Sequence, residues 1–306
     1  MKFREAGLLV LLIGLLVYAK VVDPTFVTLR AQGFLAPHIW ELAIVALPML
    51  VIIISGGIDL SVGSTVALSA VTLGLLFEKG VPPFLAACIA IVAGTALGAI
   101  NGWLIAKMRV HPLIVTLASL AAYRGIAEGI STARPISGYP EPFLKLSQGP
   151  VPMIAFAMLA LAAAIFLGRT VQGRWVYALG TNEKATLFTG IPVDKLKVGI
   201  YATCGFCCGI AAVLMVARNN TAKADMASGM ELEAITAVVL GGASIQGGKG
   251  SVMGVLLGLA LIHETREFVS WHWKQNELNL IVIGGLLLAS VLVQRLLDRN
   301  RVASRS

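Results

Sequence analysis

A succession of apolar runs, each close to the length of a membrane crossing, limits most strongly how this chain can fold. A transmembrane helix needs about 20 mostly apolar residues, and ten candidate runs leave too few of the 306 residues for a separate soluble domain. Only 13% of the residues are charged, about half the usual share in soluble domains. The sequence therefore predicts an all-α polytopic membrane protein with one transmembrane domain over residues 1–306. It excludes a soluble enzyme, a disulfide-stapled secreted domain and a disordered chain.

Some of these runs are too short or too interrupted to be ordinary spans. The second and third are separated only by Gly56 and Gly57, and the eighth ends in glycines. Broken helices are tolerated at membrane depth only where they are buried in protein or line a wet cavity, so these runs indicate a translocation path. The ten runs cover residues 6–22, 40–55, 57–77, 83–107, 112–130, 150–169, 196–217, 232–247, 250–268 and 278–297.

The Lys and Arg residues between the runs predict which side each loop faces. With ten spans and a cytoplasmic N-terminus, the inner segments contain 14 of the 24 Lys and Arg residues and the outer segments contain 9, while Arg124 falls inside a span. Because cytoplasmic loops are enriched in these residues, both termini are predicted to be cytoplasmic. The first run has no small-x-small cleavage site, and we expect it to remain as a span.

A glycine-rich segment near the eighth run looks like a nucleotide-binding loop but departs from that pattern. In GGASIQGGKGS, residues 241–251, Lys249 is followed by glycine instead of Ser or Thr, and Ala243 stands where the first glycine is required. We therefore predict that this chain binds no nucleotide, and that the segment is a re-entrant turn between two short helices with Lys249 at the cytoplasmic face. The residues assigned to this turn are Gly241, Gly242, Gly247, Gly248, Lys249 and Gly250.

The segment HETRE, residues 263–267, imitates a zinc-protease motif. It lacks the second histidine of H-E-x-x-H, and the other histidines are far away in sequence. We interpret the segment as the polar outer end of a span and predict no metal site. No G-x-S-x-G nucleophile motif is present either, so an intramembrane enzyme is not favoured.

Polar residues within the apolar runs are candidates to line a translocation path. A charge at bilayer depth costs about 2.5–3.5 kcal/mol, so such a side chain normally faces protein or water. Each candidate also has a structural interpretation, which the sequence leaves open. Asp59 can cap a helix beginning at Leu60; Asn101 can join two helices by a hydrogen bond. Arg124 and Glu128, one turn apart, can neutralise each other. The candidate path residues are Asp59, Ser61, Asn101, Thr116, Arg124 and Glu128.

The longest inner loop, about residues 170–197, contains the signal of a short helix. An amphipathic stretch over residues 183–189 is preceded by Asn182, a natural N-cap, and followed by Gly190, a natural C′ residue. We predict a short capped helix on the cytoplasmic face. Such a helix can press into a partner's groove and transmit the partner's motion to the membrane spans.

Five segments, in this order along residues 40–260, resemble a known family. They are similar to the permeases of bacterial ATP-binding-cassette (ABC) importers for ribose, rhamnose, related sugars and the sugar-like autoinducer-2. The segments are ISGGIDLSVGS (54–64), GAINGW (98–103), HPLIVTLASLAAYRGIAEG (111–129), GRWVYALGTNEKATLFTGI (173–191) and GMELEAITAVVLGGASIQGGKGSVMG (229–254).

The resemblance implies an architecture and a set of partners. It implies a bundle of about ten spans, similar to the type II permease of the vitamin B12 importer, in the bacterial inner membrane. The permease would form a dimer with itself or with a paralogous permease. Two cytoplasmic ATPases would bind and hydrolyse ATP with Mg²⁺, so that this chain itself holds no cofactor, and a periplasmic binding protein would deliver the substrate.

The resemblance also implies which residues couple the permease to the ATPase. The family's coupling stretch reads N-x-x-A-A-x-x-x-G-I, and here the second alanine is replaced by Thr186, which is still small. The glycine turn of the family matches residues 247–250. The implied coupling residues are Gly180, Asn182, Glu183, Ala185, Thr186, Gly190 and Ile191.

The function implied is that of a permease subunit, not an enzyme, which moves a sugar or sugar-like molecule into the cytoplasm by alternating access. The selective site would lie on the binding protein. The alternative is a stand-alone secondary sugar carrier. Such a carrier needs an ion site near mid-membrane, and if Arg124 and Glu128 neutralise each other, no unpaired carboxylate stands out as a proton relay.

Overall fold

The computed structural model describes residues 3–273, 278–279 and 281–288, and most of them are helical. Two 3₁₀ turns, Ala36–His38 and Lys145–Ser147, and the paired strands β1 (Ile136–Ser137) and β2 (Thr221–Ala222) lie between helices. Residues 278–279 and 281–288 are also helical. The helices are α1 (Phe3–Val22), α2 (Leu29–Leu35), α3 (Trp40–Ile54), α4 (Val62–Glu78), α5 (Pro83–Lys107), α6 (Pro112–Ser131), α7 (Glu141–Leu144), α8 (Val151–Arg169), α9 (Val171–Thr181), α10 (Glu183–Phe188), α11 (Val193–Asn219), α12 (Met230–Leu240) and α13 (Val252–Trp273).

The predicted apolar runs and the helices agree. Each of the first nine runs overlaps a helix, which confirms an all-α polytopic membrane protein. Within the described residues, five helices (α1, α5, α6, α8 and α11) are long and apolar enough to cross a membrane, and α2 with α3, bent by 55°, makes a sixth if counted as one span. The number ten stays a prediction, because α4 and α12 have only 17 and 11 residues. The run 278–297 lies partly outside the described residues. Lys2, Lys274 and the arginines of residues 295–305 lie outside them.

Proline fixes where several of the helices begin. Pro83 and Pro112 are the first residues of α5 and α6, and Pro192 directly precedes α11. Proline suits this place because its fixed φ is already helical and the missing N–H would have no partner in the first turn. The sequence therefore sets these helix starts locally, before any packing.

The centre of the bundle is a glycine contact between α5 and α11. Gly94, Gly98 and Gly102 recur every four residues on α5; Gly94 and Gly98 face Gly205 of α11, and Gly94 also faces Gly209. A Cβ atom at Gly102 would lie 2.8 Å from the Cα atom of Val198, and one at Gly209 would lie 2.6 Å from that of Ile91. Small residues at this spacing let two membrane helices approach backbone to backbone. This contact makes α11 the buried axis of the bundle, whereas α8 is mostly exposed.

The loops gather at two opposite ends of the bundle. At one end β1 pairs antiparallel with β2, and this pairing joins the loop after α6 to the loop after α11. At the same end Arg134 forms an ion pair with Glu78, the last residue of α4. At the other end Lys107, the last residue of α5, lies 2.9 Å from Asp194 in the first turn of α11. The segment α9–α10 also lies at this second end, which we call the coupling face.

Candidate coupling and translocation site

The short helix α10 forms from local signals. The side chain of Asn182 accepts a hydrogen bond of 3.0 Å from the backbone N–H of Ala185, which is the cap that the sequence predicts. Gly190 follows the helix with φ = +78°, a left-handed conformation that favours glycine. The predicted helix over residues 183–189 is therefore confirmed, one residue shorter, as Glu183–Phe188.

Helix α10 is held at few points and presents an apolar surface outward. Thr186 is its one buried residue, and Glu183 forms an ion pair of 2.6 Å with Lys197 of α11. Leu187 and Phe188 are 49% and 93% exposed, and the neighbouring Ala185 is exposed as well. Large apolar side chains grouped on a polar loop are typical of a surface that contacts a partner.

Helix α9, which precedes α10, touches the ends of two broken helices. The backbone N–H of Gly248 donates a hydrogen bond of 2.8 Å to the carbonyl oxygen of Ile54, the last residue of α3. A Cβ atom at Gly180 would overlap that same carbonyl oxygen, and one at Gly247 would lie 2.6 Å from the carbonyl oxygen of Gly180. We call Ile54, Gly180, Gly247 and Gly248 the glycine junction. The glycine junction joins α9 to α3 and to the turn between α12 and α13 by backbone contact.

The turn between α12 and α13 has the glycine-dependent form that the sequence predicts. Gly242, Gly247 and Gly248 have φ values of +93°, +86° and +71°. Lys249 is exposed, and the hydroxyl of Tyr177 in α9 donates a hydrogen bond of 3.0 Å to the carbonyl oxygen of Gly250. Burial raises the pKa of the Tyr177 phenol, so this donor stays protonated. Gly241, at the end of α12, packs against the backbone of Gly254 in α13.

The break between α3 and α4 leads into a buried polar network. Asp59 Oδ1 accepts hydrogen bonds from the N–H and the hydroxyl of Ser61, at 2.8 and 2.6 Å. Ser61 Oγ in turn accepts from the side-chain amide of Asn101, at 2.9 Å. The Asn101 carbonyl oxygen accepts from the hydroxyls of Ser119 and Tyr123, at 2.6 and 2.9 Å. These bonds connect α4, α5 and α6.

The side chains of this network and the nearby Thr116 are buried. Asp59 is 3% exposed, Ser61 1%, and Asn101 and Thr116 are fully buried. Thr116 donates to the carbonyl oxygen of Ile58. These four side chains therefore bond the helices to one another, as was considered for Asn101. The cap predicted for Asp59 is wrong in position: α4 begins at Val62, because residues 59–61 form a turn closed by the Asp59 carboxylate.

Arg124 and Glu128 do not form the ion pair considered from their spacing. The guanidinium of Arg124 donates to the carbonyl oxygen of Ala224 and, at 2.9 Å, to that of Met226. These two backbone carbonyls, in the loop before α12, hold the guanidinium in place. Glu128 is exposed on α6 and lies on the same side of the helix as the exposed Ala121 and Gly125. Glu128 therefore lies on α6 without a direct ion pair to Arg124.

The segment HETRE of α13 takes part in ion pairs. Arg266 contacts Glu233 of α12 at 2.9 Å and Glu267 at 3.2 Å, and His38 lies 3.7 Å from Glu267. Glu264 accepts a hydrogen bond from Gln32. Within the described part of the chain, no group of three or more His, Cys, Asp or Glu side chains is arranged to hold a metal ion.

Several residues of the site were not singled out from the sequence. Ser119 and Tyr123 follow Thr116 at helical spacing on α6. Together they form a polar stripe in an apolar run, and this pattern could have indicated the network. Ile54 and Tyr177 gave no such signal, because one acts through its backbone carbonyl and the other is an ordinary aromatic residue. Arg218 of α11 forms a 2.7 Å ion pair with Glu41, which is only 3% exposed at the start of α3.

Comparison with known proteins gives one family. The family described as the permease component of a branched-chain amino acid transport system matches residues 37–291. The autoinducer 2 import system permease protein LsrD of Escherichia coli (strain K12) is 34% identical over 298 residues, which cover 94% of this chain and 90% of that protein. The proteins of the same name from Shigella flexneri and Escherichia coli O157:H7 match with the same identity and coverage.

Proposed function

The chain belongs to this family of ABC importer permeases, and from that premise we propose that it carries a sugar or sugar-like molecule of the autoinducer-2 class into the cytoplasm. It is a multi-pass permease subunit of the inner membrane. The proposed cargo is supported by the 34% identity to autoinducer 2 import permeases, which extends over 94% of the chain. The family description names branched-chain amino acids instead, so these are the competing cargo to test.

We propose a bundle of about ten spans of the type II kind, with both termini in the cytoplasm. The two end faces support this arrangement. Alternating membrane crossings would place the loops that contain β1 and β2 on one side, and these strands pair. The same alternation would place the start of α11, the end of α5 and the glycine junction on the other side, where ion pairs and backbone contacts join them. The bias of Lys and Arg toward that side supports a cytoplasmic location for it.

The coupling face is the proposed docking site of the cytoplasmic ATPase. The observation that carries this proposal is the exposed apolar surface of α10, which continues through α9 into the glycine junction. A partner that moves α10 would shift the ends of α3 and α12 together, because Gly180 contacts Ile54 and Gly247 without intervening side chains. ATP and Mg²⁺ would be held by that partner, and this chain would supply the surface that follows its motion.

The opposite face and α6 are the proposed contact sites for the binding protein and the second permease. The loops joined by β1 and β2 form the proposed platform for a periplasmic binding protein. Glu128 is exposed on a spanning helix, where a carboxylate facing lipid would be costly. We therefore place the α6 face with Ala121, Gly125 and Glu128 toward a water-filled cavity shared with a second permease, either a copy of this chain or a paralogue. Alternating access would open this cavity first to one face and then to the other.

Reconstitution into proteoliposomes tests the proposed function. The chain would be combined with the ATPase, binding protein and any second permease encoded beside it, and uptake of autoinducer-2 would be measured with internal ATP. We expect uptake that ribose or rhamnose reduces and leucine does not. Competition by leucine alone would assign the cargo to the amino acids. Accumulation by the chain alone under a proton or sodium gradient would favour the secondary carrier, as would full uptake with an ATPase that cannot hydrolyse ATP.

A further inference from the structure

A groove outside the proposed path opens between α3, α8, α9 and α11. Its volume is about 530 Å³, which is within the range of sites that hold small molecules. Most of its wall is apolar. The side chains that form this wall include Leu47, Val51, Leu159, Phe166, Leu196 and Ile200.

The groove lies at the depth of one membrane leaflet, next to the coupling face. The residues that α8 contributes lie between Leu159 and Phe166, close to its end at Arg169. The residues that α11 contributes come from its first half, and α9 closes the groove at the coupling face. Lipid tails of this leaflet therefore reach the same depth as the groove.

The charged, amide and indole side chains of the lining stand at the end near the coupling face, whereas the deeper Thr203 hydroxyl already donates to the carbonyl oxygen of Gly199. Lys195, Gln172 and Trp175 line the groove there. Lys195 is exposed, and among the described residues it has no carboxylate at ion-pair distance, whereas its neighbours Asp194 and Lys197 pair with Lys107 and Glu183. A cation, an amide and an indole at the membrane interface, above an apolar slot, match the headgroup and tail of an anionic lipid.

We propose that this groove binds one acyl chain of an anionic phospholipid from the cytoplasmic leaflet, with Lys195 at the lipid phosphate. A sugar does not fit the walls, because its hydroxyls would lose their hydrogen bonds to water without replacement. The bound chain fills the space between α3 and α9. The lipid thereby stiffens the contact between α9 and α3, through which motion of α10 would be transmitted. This effect does not depend on which cargo the permease carries.

Native mass spectrometry of the purified permease–ATPase complex tests this site, with phosphatidylglycerol and phosphatidylcholine as probes. Gly199→Leu should block the groove: Gly199 lines it, and a Cβ atom there meets no heavy atom within 4 Å, so the variant should fold. Gly168→Leu is the matched control, an equally open glycine of α8 outside the groove. We expect one phosphatidylglycerol per permease in the wild type and in Gly168→Leu, and little in Gly199→Leu.

The headgroup contact has its own test. Lys195→Glu should weaken phosphatidylglycerol retention by roughly fivefold or more, since one charge near the membrane surface is worth about 1 kcal/mol. Arg109→Glu, exposed on the same face just after α5 but outside the groove, should leave it unchanged. The fluorescence of Trp175 is the difference between the wild type and Trp175→Phe. Brominated phosphatidylglycerol should quench this fluorescence more than brominated phosphatidylcholine does.

Three results would overturn the proposal. One is equal phosphatidylglycerol retention by Gly199→Leu and Gly168→Leu. Another is equal binding of the two lipids by the wild type together with unchanged binding by Lys195→Glu. The third is disulfide crosslinking between two permeases through a cysteine placed at Leu159, which would show that protein covers the groove.

Discussion

The N–H of Gly248 donates a hydrogen bond of 2.8 Å to the carbonyl oxygen of Ile54, so the turn after α12 is fixed to the end of α3. Helix α9 packs against this bond through Gly180. The contact is made by backbone atoms, which cannot rearrange as flexible side chains do. A displacement of α9 must therefore move both partners or break the bond.

Gly180→Ala should uncouple the permease. The added methyl group would overlap the carbonyl oxygen of Ile54, so α9 must move away from α3. Overpacking of this kind costs about 1–3 kcal/mol. We expect a lower unfolding temperature in detergent and a loss of ATP-driven uptake. Gly168→Ala adds a methyl group with no heavy atom within 4 Å and should behave as wild type. Wild-type uptake by Gly180→Ala would contradict the role of the glycine junction.

Asn101→Ala should destabilise the bundle more than the loss of any single hydroxyl in the network. Asn101 bonds Ser61, Ser119 and Tyr123, and its loss removes all three bonds and leaves the buried Ser119 hydroxyl unpaired, at about 1–3 kcal/mol. Tyr123→Phe removes one of these bonds and should cost about 1 kcal/mol. A double-mutant cycle by chemical denaturation in detergent should give a coupling energy between the two sites. Strictly additive effects would refute a connected network.

The ion pair between Arg134 and Glu78 predicts a pH dependence at the end of the bundle where β1 pairs with β2. Their hydrogen bonds hold the pKa of Glu78 below its usual range. A lowered carboxyl pKa gives a stabilisation that is present above the unfolded-state pKa and is lost as the pH falls through the folded-state pKa. The protection factors of backbone amides in residues 132–140, which compare hydrogen exchange with its intrinsic rate at each pH, should therefore be high at neutral pH and lower in acid. In Arg134→Gln the protection should be low at both pH values; high protection at neutral pH in this variant would contradict the prediction.

The sequence predicts what depends on local chemistry, and misses what depends on distant contacts. The apolar helices, the Asn182 cap and the glycine turn follow from apolar length, capping preference and backbone freedom, and the structure confirms them, while the number of spans stays a prediction. The partner of Arg124 could not be predicted from the spacing to Glu128, because carbonyls about a hundred residues away take up the guanidinium. The contact of Gly180 with Ile54 is likewise invisible in sequence, since the side chain of Ile54 plays no part in it.

Glu128→Gln distinguishes the two classes of transporter. Because the guanidinium of Arg124 bonds carbonyl oxygens instead of Glu128, Glu128 is an exposed carboxylate on a spanning helix that a proton-coupled carrier could use. In an ATP-driven importer its charge is not part of the energy source. We therefore expect ATP-driven uptake by Glu128→Gln to remain within about threefold of the wild type, a change below about 1 kcal/mol. Abolished uptake, combined with gradient-driven uptake by the wild-type chain alone, would reverse the assignment.

Phe188→Asp should prevent the ATPase from binding without disturbing the fold. Phe188 is 93% exposed, so its replacement removes almost no contact within the chain. In the complex, an aspartate at this position would bury an unpaired charge in the partner's groove, at a cost of about 3–5 kcal/mol. Co-purification of the ATPase should therefore fall sharply while the unfolding temperature of the permease stays at the wild-type value. Phe188→Leu keeps an apolar side chain and should retain the ATPase. A complex of normal affinity with Phe188→Asp would show that the ATPase docks elsewhere than on α10.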